Sequence, residues 1–237
     1  MKHYLSFGAG VNSVALYLLM EDLGMDFEAV FVDHGGDWPE TYDYLKYFVE
    51  SGRPVTVLKP DVQGHSNIYQ YAWDKEMVPA MQIRWCTRLF KIEPVNNYVE
   101  KPCYMHLGID AGESKRAKLN AKKGIESRWL LIENDLDREG CIDLIKSHGL
   151  TVPPKSGCFI CPFMRKQQWK AMRRTHPELF CKAQQLEQRN MDYRVRIGKK
   201  AFSLRGDGVV LGDLINENQA ALPGMEDLEY PPCQCER

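Results

Sequence analysis

The sequence lacks the long apolar segments that membrane proteins need. No run of 18 apolar residues occurs in the 237-residue chain, which excludes a transmembrane helix and any membrane partner of that kind. The start, Met1-Lys2-His3, has no basic region followed by an apolar signal core, so we expect a cytoplasmic protein. Internal repeats and low-complexity tracts are also absent.

The chain has no excess of charge of either sign. Its formal net charge is −1, so the whole molecule does not indicate nucleic-acid binding. Basic residues are nevertheless concentrated in 115–128 and in 165–174, where Trp169 lies among them. A solvated helix surface is the common cause of such a pattern, and a basic face for tRNA or DNA is the alternative. The sequence leaves the oligomeric state open, with a homodimer as one possibility.

Strand and helix patterns alternate over the first two thirds of the chain. Apolar runs predict strands at Tyr4-Leu5, 27–32, 54–58, 103–108 and 129–132, with helices between them. This rhythm predicts an α/β fold with a doubly wound, mostly parallel five-stranded sheet and helices on both faces. We predict an α/β domain over 1–164 and a helical and coil appendage over 165–237, with a helix at 176–190 and a short hairpin at 193–205.

The first predicted strand runs into a loop of small and polar residues. A strand, a glycine-containing turn and a helix collect backbone N–H groups at a helix N-terminus, where they bind phosphate. The glycines permit positive φ and close approach of an anion, and the polar side chains add hydrogen-bond donors. An ordinary strand-to-helix turn is the alternative interpretation. The predicted phosphate-binding residues are Ser6, Gly8, Gly10, Asn12 and Ser13.

Two further polar loops follow predicted strands at their carboxyl ends, where parallel sheets bind ligands. Asp33 opens the loop after the second strand, and Gly108 opens the loop after the fourth. The second loop carries small residues and cations that suit closure over a phosphate. Its predicted site residues are Gly108, Glu113, Ser114, Lys115 and Arg116.

Eight cysteines are many for a chain of this length. In a reducing compartment they favour metal or redox chemistry over structural disulfides. Cys158 and Cys161 form a Cys-x-x-Cys pair with the spacing of a metal site, with a redox dithiol as the competitor. Cys86 lies between two arginines, so we expect a lowered pKa and a role as ligand or nucleophile, with a buried apolar role as the alternative.

The remaining cysteines divide into two groups. Cys233 and Cys235 form a Cys-x-Cys pair in the tail and are candidates to complete a metal site. Cys103 and Cys141 have no partner at ligand spacing, and Cys181 lies inside the predicted helix 176–190, so we predict that all three lie in the core.

Taken together, these segments resemble the sulfonucleotide (PAPS/APS) reductase family within the PP-loop ATP pyrophosphatase superfamily. The loop 6–13 is similar to the superfamily's Ser-Gly-Gly-x-Asp-Ser loop, with Phe7 where Gly is usual and Asn12 where Asp is usual. Residues 33–41 are similar to the family's Asp-Thr-Gly…Phe-Pro-Glu-Thr.

Two later segments extend the resemblance to roughly residues 3–180. Residues 86–94 are similar to the family's Cys…Lys-x-Glu-Pro. Residues 108–116 are similar to its Gly-x-Arg-x-x-Glu-Ser…Arg, with Ile109-Asp110 replacing the expected arginine.

The resemblance implies an ATP-using enzyme that binds Mg²⁺ together with the nucleotide. A substrate oxygen would attack the α-phosphate, releasing pyrophosphate and leaving an adenylated intermediate. Asp33 would lie near the ribose or adenine, and Lys115 and Arg116 would neutralise charge at phosphorus.

The resemblance also implies an iron–sulfur cluster. Cys86, Cys158 and Cys161 match three of the four ligands of a 4Fe–4S cluster in the iron–sulfur branch of the family. Cys233 or Cys235 would supply the fourth, or one iron would stay open for sulfur transfer.

Two alternatives stand beside this interpretation. One is a true sulfonucleotide reductase, in which Cys235 or Cys233 is the nucleophile and a thioredoxin-like partner reduces the product. The other is a nucleotide-binding module whose zinc is held by Cys158, Cys161, Cys233 and Cys235.

Overall fold

A parallel sheet forms the centre of the molecule. The computed structural model describes residues 1–117, 122–205 and 208–215, so the predictions for Cys233 and Cys235 lie outside the described residues. The strand order is β3-β2-β1-β4-β5, and every neighbouring pair is parallel, which confirms the predicted doubly wound sheet. The strands are Lys2–Ser6 (β1), Glu28–Val32 (β2), Thr56–Leu58 (β3), Cys103–Leu107 (β4) and Ile125–Arg128 (β5).

Helices cover both faces of this sheet. On one face, apolar residues of the helices Val11–Asp22 (α1), Pro39–Glu50 (α2) and a later helix described below pack on Leu5 and Phe31. On the other face, Val95 and Val99 pack against Tyr4, Val30 and Met105. Near-continuous apolar strands buried on both sides are what a parallel sheet requires.

The remaining helices follow the chain around this framework. They are Ile68–Asp74 (α3), Trp85–Thr87 (α4), Glu93–Tyr98 (α5), Leu130–Glu133 (α6), Arg138–Ser147 (α7), Lys166–Thr175 (α8) and Pro177–Arg196 (α9). A π-helical turn, Arg88–Ile92, joins α4 to α5, and 3₁₀ turns occupy Ala111–Arg116 and Leu211–Ile215. Helix α7 is the third helix on the α1 and α2 face, where Cys141 and Ile145 are fully buried.

Helices α8 and α9 pack beside the Cys-x-x-Cys segment. Trp169, which has no exposed surface, lies in one apolar cluster with Ile68, Cys158 and Phe180. Residues on both sides of the predicted boundary at 164/165 therefore share a core. The burial of Trp169 also removes it as a stacking surface for nucleic-acid bases.

Three local expectations differ from the structure. The apolar run 129–132 is not the fifth strand, because Leu130–Glu133 forms the one-turn helix α6 and Ile125–Arg128 pairs with β4 instead. No hairpin begins at 193, since α9 continues to Arg196. Cys181 is exposed on α9, whereas Cys103 and Cys141 are buried as predicted.

The topology changes direction between β1 and β4. The chain moves outward from β1 to β2 and β3, then returns to pair β4 with the other side of β1. The loops that leave β1 and β4 therefore diverge at the carboxyl edge, which opens a crevice where ligands bind in this class of fold. Among the described residues, we find no helix with the length and apolar character needed to cross a membrane.

We predict that unfolding free energy falls on acidification because of His106 in β4. Burial, with smaller contributions from His3 and Arg128, lowers the pKa of His106 to about 4. Between pH ~6.5 and pH ~4, His106 is therefore protonated in the unfolded chain and neutral in the folded chain. The free energy of unfolding decreases as the pH falls through this range. Allowing for solvent screening, the loss is about 1–2 kcal/mol.

Urea unfolding between pH 7 and pH 4.5 measures this loss. His106→Gln should reduce the slope, while Asn97→Gln, at an exposed position without a titratable group, should leave it unchanged. An equal slope in His106→Gln and the unsubstituted protein would contradict the assignment.

Candidate active site

A cleft lies at the divergence of β1 and β4. The loop after β1 forms its floor, the segment after β4 forms one wall and residues 154–157 form the other. All five of the predicted phosphate-binding residues line it. The lining includes Ser6, Gly8, Gly10, Asn12, Ser13, Asp37, Lys91, Gly108, Glu113, Arg116, Arg138, Lys155 and Ser156.

The loop after β1 directs the N-terminus of α1 into the cleft. Gly10 is the N-cap, and the Ser13 hydroxyl accepts from Gly10 N–H at 3.1 Å and donates to Gly10 C=O at 3.0 Å. The positive φ expected at the glycines is found at Ala9 instead, at 51°. A Cβ at Gly10 would lie 2.6 Å from the Ser156 hydroxyl, so a side chain there would require that hydroxyl to rotate away. The helix N-terminus faces the cleft with its positive dipole end.

Gly108 lets the end of β4 approach this loop. A Cβ at residue 108 would lie 3.0 Å from the backbone nitrogen of Ser13 and 3.2 Å from the carbonyl carbon of Asn12. Backbone atoms cannot move aside as a flexible side chain can, so the position requires glycine. This close approach brings the 3₁₀ turn 111–116 beside the N-terminus of α1.

Asn12 connects three segments that are distant in sequence. Its Nδ2 donates to Asp110 Oδ2 at 2.9 Å, and its Oδ1 accepts from Arg138 Nη1 at 3.0 Å. Asp110 is 2% exposed, and its Oδ1 accepts from Glu113 N–H at 3.0 Å. The Asn12 side chain is therefore a structural bridge between a buried carboxylate and an arginine at the rim of the cleft.

The second wall of the cleft is attached to the loop after β2. Trp38 N–H donates to Gly157 C=O at 3.0 Å, and Phe159 N–H donates to Gly36 C=O at 2.9 Å. Between these two bonds, Asp37 and Cys158 form an isolated antiparallel bridge. This arrangement, which we call the 37–158 bridge, fixes Lys155 and Ser156 on one side and the Cys-x-x-Cys turn on the other.

The lining of the cleft includes four cationic side chains and two carboxylates. Arg116 forms an ion pair with Glu113, and both are largely buried. Lys91, Arg138 and Lys155 add positive charge to the lining. Burial lowers the pKa of Lys155 to about 8. Such an arrangement favours an anionic ligand with several charges.

Asp37 is the carboxylate held at the inner end of the cleft. Its Oδ2 lies 3.3 Å from Nε2 of His34, a side chain with no exposed surface. His34 Nδ1 accepts from Gly36 N–H at 3.1 Å, which assigns the ring proton to Nε2, facing Asp37. Burial lowers the pKa of His34, so the ring that faces Asp37 is neutral.

A second, smaller cavity lies behind the 37–158 bridge. It is lined by Cys86, Cys158 and Cys161 together with His34 and Lys91, and we call it the three-cysteine cavity. The structure thus brings together the three cysteines that the sequence singled out as ligands. In the described ranges, no three His, Cys, Asp or Glu side chains are close enough to bind a single metal ion.

The thiols in this cavity differ from the expectation for Cys86. Burial raises the pKa of Cys86, and it also raises the pKa values of Cys158 and Cys161. The two flanking arginines do not lower the Cys86 pKa, because Arg84 stacks on Phe163 at 4.7 Å and Arg88 binds Glu93 at 3.0 Å.

Three predicted residues lie outside the lining of the cleft. Asp33 Oδ1 accepts from Gly35 N–H at 3.0 Å and from the Tyr42 hydroxyl at 3.1 Å, so its carboxylate closes its own loop. Ser114 and Lys115 are exposed on the outer side of the 3₁₀ turn.

Sequence reasoning missed Asp37, Lys91, Arg138, Lys155 and Ser156 as cleft residues. Lys91 and Asp37 lie inside the segments that carried the family resemblance, so closer attention to those motifs would have found them. Arg138 and Lys155 carry no local signal, because the fold alone brings them to the loop after β1.

A family model described as the phosphoadenosine phosphosulfate reductase domain matches residues 2–125, which include β1 to the start of β5. Two uncharacterized proteins of Methanocaldococcus jannaschii are 25% and 26% identical to the chain, covering 75% and 74% of it. The chain spans 45% and 39% of these relatives, less than half of their length. An uncharacterized nin region protein of Escherichia phage lambda is 28% identical, covering 68% of this chain and 66% of that protein.

A solved structure shares the fold. The crystal structure of phosphoadenylyl-sulfate (PAPS) reductase from Candida auris, a phosphate complex, matches with a TM-score of 0.50 and 15% identity. The match covers 65% of this chain and 75% of that one. At this identity the likeness supports the α/β architecture and nothing finer.

We predict that Asn12→Asp destabilises the protein at pH 7. The new carboxylate would lie against Asp110 Oδ2, where Asn12 now donates a hydrogen bond at 2.9 Å, and two buried carboxylates cannot both ionise without cost. The expected loss is about 1–3 kcal/mol in the free energy of unfolding, measured with urea.

A compensating pair provides the control for this prediction. Asn12→Asp combined with Asp110→Asn restores a donor and an acceptor and should recover most of the loss. Asn97→Asp adds the same charge at an exposed position and should have little effect. Wild-type stability in Asn12→Asp would contradict the bridge.

Proposed function

The chain belongs to the phosphoadenosine phosphosulfate reductase domain family, and on that premise we propose an adenine-nucleotide enzyme that joins phosphate chemistry to a cysteine-bound iron–sulfur cluster. The nucleotide is ATP or a relative of it, bound in the cleft. The cluster is bound by Cys86, Cys158 and Cys161 in the three-cysteine cavity.

One observation supports this combination above the others. Lys91 lines the cleft and also lines the three-cysteine cavity. Its positive charge acts on the thiols of Cys86, Cys158 and Cys161, favouring their ionised forms. A phosphate bound in the cleft and a metal centre bound by the three cysteines would therefore lie on opposite sides of Lys91.

The cleft supplies what a reaction at phosphorus needs. Backbone N–H groups at the start of α1, with Lys91, Arg116 and Lys155, stabilise charge on the phosphate oxygens without reorganising. A substrate oxygen bonds to the α-phosphorus as the bond to the bridging oxygen breaks, and pyrophosphate leaves with that electron pair. Asp37, which lines the cleft, is the carboxylate that we propose to help hold Mg²⁺.

The three-cysteine cavity fits a cluster better than a reactive thiol. Burial raises the pKa of each thiol, which opposes a free thiolate nucleophile. A metal centre would instead deprotonate its thiol ligands and offset the cost of burying them. Three cysteines that line one cavity are also the kind of ligand set that an iron–sulfur cluster uses. When bound, the cluster would supply a sulfur-binding or electron-transfer centre beside the cleft.

We predict that anaerobically purified protein is brown and contains about four irons and four sulfides per chain. Cys158→Ser and Cys161→Ser each remove a buried ligand and should lose most of the iron, measured together with acid-labile sulfide. Cys86→Ser should lose iron as well. Cys181→Ser, at an exposed position outside the cavity, is the matched control and should retain it.

Circular dichroism of each variant separates loss of iron from loss of fold. Colourless protein with stoichiometric zinc would contradict the cluster and favour the zinc module. Sulfite release from PAPS or APS that depends on Cys235 would favour the reductase alternative.

We also predict that Lys91→Gln weakens ATP binding about tenfold, because a charge-assisted contact to phosphate is lost. Titration calorimetry under anaerobic conditions measures the effect. Lys46→Gln, an exposed charge on α2, should bind ATP as the unsubstituted protein does. Unchanged ATP affinity in Lys91→Gln would contradict the shared role of this lysine.

A further inference from the structure

We propose that Arg138 binds the phosphate groups of the ligand and that Asn12 is its positioning residue. The proposal rests on the proposed function, since it names a residue of the same cleft. Arg138 begins α7 and reaches the loop after β1 from across the cleft.

Asp110 and Asn12 together fix the position of the Arg138 guanidinium. Glu113 N–H and Asn12 Nδ2 both donate to the carboxylate of Asp110, at 3.0 and 2.9 Å. The Asn12 amide therefore presents its oxygen outward, and Arg138 Nη1 donates to that oxygen at 3.0 Å. Because Asp110 is buried and can only accept, it sets which way the Asn12 amide faces.

Among the residues that the structure describes, none neutralises the charge of Arg138. Its partner in this contact is a neutral amide, and within the described residues no carboxylate forms an ion pair with it. The contrast is Arg116, which is paired with Glu113 in the same cleft. A guanidinium carries five N–H donors in a fixed plane, so most remain for a bidentate contact to an anion.

The place of Arg138 in its helix supports a ligand role. It is the first residue of α7, after the cap Asp137, whose Oδ1 accepts from Gly140 N–H at 2.9 Å. A cation there opposes the positive end of the helix dipole, so helix stability does not account for it. Its side chain is half-buried at the cleft, so it is not simply a solvated surface charge either.

The ligand class follows from what surrounds Arg138. Lys91, Lys155 and the N-terminus of α1 line the same cleft, a set that suits several linked phosphates better than an uncharged nucleoside. The contribution of Arg138 should therefore appear with pyrophosphate alone and vanish with adenosine. In the family motif that residues 108–116 resemble, an arginine is expected where this chain has Ile109-Asp110. Arg138 thus brings to the cleft a positive charge that Asp110 does not provide.

Titration calorimetry of Arg138→Gln tests the proposal with ATP, inorganic pyrophosphate and adenosine as probes. We expect ATP and pyrophosphate to bind about 10- to 100-fold more weakly, since a charge-assisted bidentate contact is lost. Adenosine affinity should stay within about twofold. Lys146→Gln removes an exposed charge from the same helix and should leave all three affinities unchanged.

Two further variants separate positioning from charge. Arg138→Lys keeps the charge without the planar fork and should recover part of the pyrophosphate affinity. Asn12→Ala should weaken pyrophosphate binding less than Arg138→Gln does. It should also leave the salt dependence of the dissociation constant unchanged, because no charge is removed, whereas Arg138→Gln should reduce that dependence.

The outcomes distinguish this proposal from the one on which it rests. If the unsubstituted protein binds neither ATP nor pyrophosphate, the proposed function fails and the role of Arg138 fails with it. If it binds both and folded Arg138→Gln binds them equally well, only the role of Arg138 is overturned. Thermal unfolding of each variant establishes that it is folded.

Discussion

The short backbone pairing between the loop after β2 and the segment 157–159 is the contact on which both parts of the candidate site depend. Two hydrogen bonds and the 37–158 bridge hold residues that are more than 100 positions apart in sequence. On one side of this pairing, Lys155 and Ser156 close the cleft. On the other, Cys158 and Cys161 face Cys86. Without this pairing, the crevice at the edge of the sheet would remain, but the cleft would lose one wall and the three-cysteine cavity would not form.

Much of the fold could be predicted because its signals are local. The sequence patterns of this fold each extend over only a few residues: apolar runs, glycine-containing turns and a polar loop after each strand. The parallel sheet and the loop 6–13 were therefore predictable. The edge strand β5 was not, since Ile125 and Ser127 face inward while Glu126 and Arg128 face outward, a weak apolar signal. The stronger apolar run beside it formed α6 instead.

The chemistry of individual side chains was harder to predict, because burial and distant partners determine it. Neighbouring arginines predicted a reactive Cys86, but those arginines have other partners and burial dominates the thiol. Asn12 was predicted to donate towards phosphate, yet its amide is engaged by Asp110 and Arg138. Sequence spacing contains no information about contacts of this kind. The family resemblance identified the cysteines that meet, and the fold identified what surrounds them.

The position of Lys91 between two cavities carries a thermodynamic consequence for any reaction cycle. A ligand that changes the charge on one side of a shared cation changes the free energy of events on the other side, and the effect is reciprocal. A nucleotide that favours one oxidation state of a cysteine-bound centre must itself bind more tightly to that state, by the same factor. The free energies of filling the two sites would then be linked through this one charge.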